Sequence, residues 1–415
     1  MPPSEAEIIE EQIHFSNVVA TFEQYAPYSL AANNRRRKDL YTLPQADQAL
    51  LADIGWKDKL VDIDKAIMAN AAFVKQMVSN PEIFLNADLS ALAEGNDGHD
   101  HNGSNTGFGH ENSHSHSTSH SHCQPNHPNS PKPINPNKRY RPTDFDMDKL
   151  RSTLKQFVRD WSEEGKGERD SCYKPMIDAL LDHFSGVSEE QRSNIRVLVP
   201  GAGLGRLAYE IAHLGFACQG NEFSHYMLLA SYFILNRTEK INEHTIYPYV
   251  HSLSNMPDRS ALLRPIMLPD ALPSDLPEGS DFSLVAGDFE EIYGAEENND
   301  RDHESQVGMW DAVLTCFFVD TAKNVINYLR VIHRILKPGG VWINLGPLLW
   351  HWENNTTNDP SIELDVEEVK TLCRKIGFQL SNERTIDTTY TNNTQAMLGY
   401  VYHTEFWTAT KISDN

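Results

Sequence analysis

The chain has 415 residues, 40% of them apolar, which is enough for one large domain with an addition or for two domains. Its 58 acids against 36 bases leave a formal charge of −22, a field that repels phosphate backbones and argues against nucleic acid as the main partner. Five scattered cysteines (Cys123, Cys172, Cys218, Cys316, Cys373), with no CxxC pair, argue against a disulfide framework or a zinc ribbon and suit a reducing compartment.

The opening MPPSEAEIIEEQ is acidic and lacks the apolar stretch of a signal peptide. No run reaches the length of a membrane span, so no membrane partner is expected. Residues 1–94 read as a helical region. Glu5 to Tyr25 carries Ile8, Ile9, Ile13, Phe15, Val18, Val19 and Phe22 at mixed three and four spacing. Ala46 to Ile54, Asp62 to Val78 and Asn80 to Ala93 continue in that style. The cluster Arg35, Arg36, Arg37, Lys38 reads as a solvated helix face or an ion-pairing segment. It is too short to decide nuclear entry, so a cytoplasmic location is expected and the nucleus stays open.

Residues 95–140 change character. Gly95 to Asn137 is Asn, Ser, His, Gly and Pro with almost nothing apolar, a composition that predicts disorder. Its histidines are assigned no chemistry, and no metal site is expected.

Residues 141–415 form the main domain, with an insertion at 244–280. Thr143 to Trp161 is amphipathic, and Thr143 followed by Asp146 suggests an N-cap. Gln156 and Arg159 share a face beside its apolar stripe. Met176 to Phe184 is a further helix. Ile195 to Val199 reads as a buried parallel strand. Gly201, Gly203 and Gly205 follow, then a helix over Leu204 to Leu214. A second strand opens at Phe216 to Gln219, with Glu222 at its far end. Glycines after a first strand let the backbone approach a ligand closely. An acid at the tip of the second strand can accept from both ribose hydroxyls. The stretch asks for a nucleoside.

Met227 to Asn236 reads as a helix, and His244 to Leu276 as an irregular, proline-rich functional insertion or surface flap. Phe282 to Ala286 is a strand followed by Gly287, Asp288 and Phe289. Glu296 to Gln306 is a charged loop. Trp310 to Val319 is the most apolar strand and ends at Asp320. Lys323 to Leu336 is a helix stopped by LKPGG. Val341 to Leu345 is the next strand, running into GPLLWHW. Val366 to Ile376 is a helix with Gly377 as C-cap. Phe378 to Ile386 and Tyr400 to Thr410 form a closing β pair, with Tyr390 between them. The alternation predicts an α/β, doubly wound, mostly parallel sheet with a hairpin-like end.

The dinucleotide fingerprint is G-x-G-x-x-G, but here the third glycine comes one residue early. That G-x-G-x-G turn, Glu222, Asp288 and LKPGG together resemble the class I S-adenosyl-L-methionine methyltransferases, and imply their Rossmann-like fold. One position departs: many such enzymes carry an acid two residues before the first glycine, where this chain has Val199. Longer strings are closer. STLKQFVRDWSEEGKGERDSCY, LVPGAGLGRLA, CQGNE, AGDFEEIY, CFFVDTA and WINLGPLLWHWEN resemble the carnosine N-methyltransferase family over about residues 141–406. The resemblance implies methyl transfer from S-adenosyl-L-methionine to an imidazole nitrogen of carnosine, giving anserine, or of a related histidyl dipeptide. The implied partner is this small molecule, and a homodimer stays open.

Position by position, the resemblance implies Gln156, Arg159, Gly201, Glu222, Asp288, Phe289 and Cys316 around the cofactor. It implies Asp320, His351 and Tyr402 around the imidazole, with Tyr390 and Tyr400 nearby. Without it, Asp320 equally suits the N-cap of the following helix. His351 suits a packed polar residue between Trp350 and Trp352. The tyrosines suit ordinary strand positions, and Cys316 a small buried apolar group. Three other functions compete: an NAD-dependent oxidoreductase, a catalytically silent methyltransferase-like binding protein, and a methyltransferase acting on histidine in a protein.

Overall fold

The computed structural model describes residues 5–79, 140–294, 305–357 and 359–412. The expected helix Asn80 to Ala93, the stretch Gly95 to Asn137 and most of the loop Glu296 to Gln306 lie outside the described residues.

The N-terminal region forms four helices, α1 (Glu5–Glu23), α2 (Tyr25–Leu40), α3 (Gln45–Asp53) and α4 (Trp56–Met77). The basic cluster lies on α2. Arg37 pairs with Asp64 of α4 and donates to the Leu60 carbonyl at 3.1 Å, so part of the cluster is ion-paired. Next come α5 (Asp144–Trp161) and α6 (Lys166–His183). The α5 start is a full capping box. Asp146 N–H donates to Thr143 Oγ1 at 3.2 Å, and Thr143 N–H donates to Asp146 Oδ2 at 2.8 Å.

The sheet strands are β1 (Arg196–Pro200), β2 (Ala217–Glu222), β5 (Phe282–Ala286), β6 (Trp310–Cys316), β7 (Leu336–Gly346), β8 (Phe378–Thr388) and β9 (Tyr402–Lys411). Between β2 and β5 stand the two short strands β3 (His244–Ile246) and β4 (Ile266–Leu268). Among the described residues one seven-stranded sheet has the order β5-β2-β1-β6-β7-β9-β8. Its first five strands are parallel, and β9 runs antiparallel to both neighbours. The remaining helices are α7 (Arg206–His213), α8 (His225–Asn236), α9 (Arg259–Leu262), α10 (Phe289–Gly294), α11 (Val325–Ile335) and α12 (Val366–Ile376).

Both sheet faces are covered, which is why its central strands are apolar throughout. On one face Val197, Val199, Leu314 and Ile343 pack with Met176 and Leu180 of α6 and Leu207 and Ile211 of α7. On the other, Val313, Trp342 and Trp407 pack with Ile332 of α11 and Val369 of α12. A third cluster joins α1, α4, α5 and α8 through Phe22, Ile63, Phe73, Phe157 and Phe233.

Three expectations need correction. His244 to Leu276 is no irregular flap: β3 and β4 pair antiparallel, and Ile246, Val250 and Leu268 are buried in the third cluster. Asn70 of α4 completes that pairing by exchanging two hydrogen bonds with the Tyr247 backbone, at 2.9 and 2.7 Å. Second, the strand after Trp310 stops at Cys316. Phe317 takes φ +54°, and a 3-10 turn over Val319–Thr321 follows. Third, LKPGG begins strand β7 rather than only ending a helix, because Leu336 already pairs with Trp310. No helix among the described residues is long and apolar enough to cross a membrane.

Candidate active site

At the carboxyl end of β1 the chain turns through Gly201 at φ +66° and Gly203 at φ +56°. A side chain at Gly201 would be strained, and its Cβ would also lie 2.6 Å from the Phe318 ring. Glu222 stands beside this turn at the end of β2. Its carboxylate accepts the N–H groups of Gly203 at 2.8 Å, Phe223 at 2.9 Å and Ser224 at 2.8 Å. Burial raises its pKa, and those three donors oppose the rise. A carboxylate offers about four acceptor directions, so roughly one remains for a ligand hydroxyl.

The last turns of α5 form the facing wall. Asp160 is buried and accepts from Gln156 Nε2 at 2.9 Å, Arg159 Nη1 at 2.9 Å and the Tyr173 hydroxyl at 2.8 Å. Arg159 Nη1 also reaches the Tyr173 oxygen at 2.6 Å. Burial alone would lower the Arg159 pKa, but Tyr173 and Asp160 turn the balance upward, so the guanidinium stays charged. Its Nε lies 3.0 Å from Glu168 Oε1. That contact is ionic and not aligned as a hydrogen bond, so the buried Nε–H lacks a hydrogen-bond partner. Arg169 holds the end of α5 by donating to the carbonyls of Arg159 at 2.7 Å and Ser162 at 2.8 Å, and pairs with Asp270. Asp270 also accepts from Arg206 at 2.6 Å.

These walls enclose a cleft bounded by Gln156, Arg159, Gly201, Gly203, Cys316 and Tyr390. The Cys316 sulfur lies 3.9 Å from Arg159 Nη2. A hydrogen bond with Cys172 and burial push the Cys316 thiol up. The Tyr390 ring lies 4.9 Å from the Arg159 guanidinium and 4.8 Å from the Phe317 ring.

Asp288 follows β5 and caps α10, accepting from Glu290 N–H at 2.8 Å and Glu291 N–H at 3.2 Å. The Phe289 ring is only 2% exposed and packs edge-on against Phe318 and Tyr328. A base placed beside Asp288 would therefore not stack on that ring.

Asp320, His351 and Tyr402 do not line the cleft above the glycines; they form a neighbouring group. Asp320 is 3% exposed, its Oδ2 accepts Leu349 N–H at 2.9 Å, and its carbonyl accepts His351 N–H at 3.0 Å. Burial raises the Asp320 carboxyl to about 7 against the opposing pull of the Leu349 N–H. The alternative N-cap role falls away, because Asn324 caps α11, accepting from Ile326 N–H at 3.1 Å. His351 is half-buried on a segment pinned by its neighbours: Trp350 donates to the Leu364 carbonyl and Trp352 to the Thr321 carbonyl, both at 3.1 Å. Tyr402 is half-buried, and burial followed by the charge of Asp320 raises its pKa. Its ring meets Phe317 edge-on at 5.5 Å, so Phe317 stands between Tyr390 on the cleft side and Tyr402 in the neighbouring group. Tyr400 is 53% exposed at the outer rim.

Sequence reasoning passed over Asp160, Tyr173, Glu168 and Phe317. The string RDW…GERDSCY held a signal, since acids next to arginines before a glycine-rich strand turn can form a buried network. Nothing in the sequence marks Phe317 for a positive φ.

A family model described as carnosine N-methyltransferase matches residues 136–413. Carnosine N-methyltransferase of Mus musculus is 53% identical over 259 residues, covering 62% of this chain and 62% of that protein. This chain thus matches less than two thirds of the mouse protein's length. The protein of that name from Schizosaccharomyces pombe is 46% identical over 63% of this chain and 70% of its own. That from Dictyostelium discoideum is 36% identical over 95% of this chain and 75% of its own. Solved structures superpose loosely: a SAM-dependent methyltransferase from Aquifex aeolicus reaches a TM-score of 0.33 at 13% identity, over 63% of this chain and 98% of that one. The match to the family model runs through all seven sheet strands and the cleft above the glycines, and this chain belongs to the carnosine N-methyltransferase family.

Proposed function

We propose that this chain transfers a methyl group from S-adenosyl-L-methionine to an imidazole nitrogen of carnosine, or of a related histidyl dipeptide. The observation that carries this reading is the cleft at the end of β1. There a positive-φ glycine turn, the Glu222 carboxylate and the buried Arg159 guanidinium converge, in a chain of this family.

The residues present suit such a cofactor. The Arg159 guanidinium lines the cleft, and its Nη2 faces the weakly accepting Cys316 sulfur at 3.9 Å, so a charged donor is at hand for a ligand carboxylate. A side chain on Gly203 would stand 3.7 Å from Gln156 Nε2 and 3.8 Å from Asp160 Oδ2, so glycine leaves that space to a ligand. Gln156 and Arg159 would hold the amino-acid end, Glu222 the ribose and Asp288 the adenine end. When bound, the cofactor supplies an electrophilic methyl on a sulfonium.

The chain's own work is positional. A neutral imidazole is already a nucleophile near pH 7, with a free pKa of about 6.5. It needs one bare nitrogen toward the methyl and a partner for the N–H on the other. By the family resemblance Asp320 would accept that N–H, fix the tautomer and stabilise the imidazolium as charge moves onto the ring, and since it is 3% exposed, binding would have to uncover it. His351 and Tyr402, with Tyr390 and Tyr400, supply the remaining polar contacts to the dipeptide. Orientation can account for much of the acceleration.

Incubation with labelled S-adenosyl-L-methionine and carnosine tests this. Labelled anserine is expected from the wild type, and none from Asp320→Ala, which should still bind S-adenosylhomocysteine. No transfer to carnosine or any other histidyl dipeptide would sink the reading.

A further inference from the structure

Glu168 lies in the first turn of α6 and is almost fully buried, yet it serves residues distant in sequence. Its carboxylate accepts the Thr389 hydroxyl at 2.7 Å, the Thr391 N–H at 2.8 Å and the Asn392 N–H at 3.2 Å. The same carboxylate makes the ionic contact with Arg159 Nε. Tyr390 sits between the two anchored threonines, and Thr391 takes φ +49°, a conformation that a β-branched residue rarely adopts without restraint. Beside this segment is open space, a second cavity bounded by Glu168 itself, Arg159, Lys155, Thr389, Thr391 and Asn392. Apolar packing therefore does not hold the segment from that side, and the bonds to Glu168 do.

We propose that Glu168 is a positioning residue: one carboxylate fixes the segment carrying Tyr390 against Arg159 and so sets the outer wall of the cofactor cleft. What the wall encloses rests on the methyl-transfer reading above. Without Glu168 the Thr391 and Asn392 N–H groups lose their acceptor, and the Tyr390 ring loses its register over the guanidinium. The cleft then opens at the end where Gln156 and Arg159 would hold the donor. Nothing in the role requires Glu168 to touch either substrate.

The test compares wild type, Glu168→Gln and Thr389→Val. Glutamine keeps the size but replaces one acceptor oxygen by a donor that faces another N–H. In Glu168→Gln the KM for S-adenosyl-L-methionine is expected to rise about tenfold, with kcat changed less than about threefold. Amide exchange at Thr391 and Asn392 should quicken by about tenfold or more as the segment loosens. An unchanged KM overturns the proposal, and so does a raised KM with unaltered exchange at those amides. If Glu168→Gln gives no cooperative melt, Thr389→Val decides, with a KM rise of about two- to fivefold supporting the role and no rise overturning it. If the wild type methylates no histidyl dipeptide, the functional reading falls separately. S-adenosylhomocysteine affinity then replaces KM: weaker binding with faster exchange supports Glu168, and unchanged binding overturns it.

Discussion

The Leu349 N–H donates to Asp320 Oδ2 at 2.9 Å from a segment whose next residue but one, His351, donates its own N–H to the Asp320 carbonyl at 3.0 Å. The two bonds lock the 3-10 turn after β6 to the segment after β7. They hold the acid in a place almost sealed from water. Its pKa near 7 follows from that sealing, and several predictions rest on it.

The pH profile of kcat/KM should show two ionisations close to neutrality. Asp320 must lose its proton near 7, and free imidazole loses its own near pH 6.5. Both favour activity as pH rises, so the acid limb should approach a slope of two. In Asp320→Asn the limb should fall to a slope of one, with turnover reduced on the order of 100-fold or more. A full-rate Asp320→Asn enzyme would refute the tautomer argument.

Asp320→Asn should also be more stable than wild type, increasingly so between about pH 4 and 7. The folded pKa of about 7 lies above the reference value of 3.8, so the fold favours the protonated acid. Wild-type stability from this group is complete below about pH 4 and is lost as pH rises through 7. Asparagine does not titrate and still accepts from Leu349. The gain above pH 7 should be on the order of 2–4 kcal/mol, an upper range. Thermal melts at pH 5.5 and 8 would measure it, and an equal shift at both would contradict it.

Glu222→Ala should weaken S-adenosylhomocysteine binding by about 10- to 100-fold in titration calorimetry. The loss has two sources: the acceptor direction left for a ligand hydroxyl, and the three N–H groups that hold the glycine turn's neighbours in place. Undiminished affinity would move the ribose elsewhere.

Gly201→Ala should cost about 1–3 kcal/mol of stability, through φ +66° and the approach of its Cβ to the Phe318 ring. Gly186→Ala is the control. Its Cβ would meet nothing within 4 Å, and a change within about 0.5 kcal/mol is expected. Equal costs at the two positions would show that the turn is not tight.

The mostly parallel alternation and the cleft's glycine turn were legible because they depend on local signals. A buried apolar run, positive-φ glycines and an apolar helix face all lie within Ile195 to Glu222. The α5 start was legible for the same reason, since Thr143 and Asp146 satisfy each other's backbone. What escaped depends on distant partners. The pairing of β3 with β4 is completed by Asn70, more than 170 residues earlier. Glu168 reads as an ordinary first-turn acid until Thr389 to Asn392 arrives beside it. The left-handed Phe317 meets Tyr390 and Tyr402 through its ring and the Leu345 carbonyl through its N–H, partners that no spacing announces.

Asp270 belongs to the excursion between β2 and β5, yet its two oxygens separate the guanidinium of Arg169 from that of Arg206. Shortening that excursion to a tight turn would leave buried Arg169 with carbonyl partners and no counter-ion, and Arg206 with Glu210 as its remaining one, a costlier change than the loss of one contact. A miniaturised catalyst built on this scaffold would have to replace both arginines together, and with them the support under the last turn of α5.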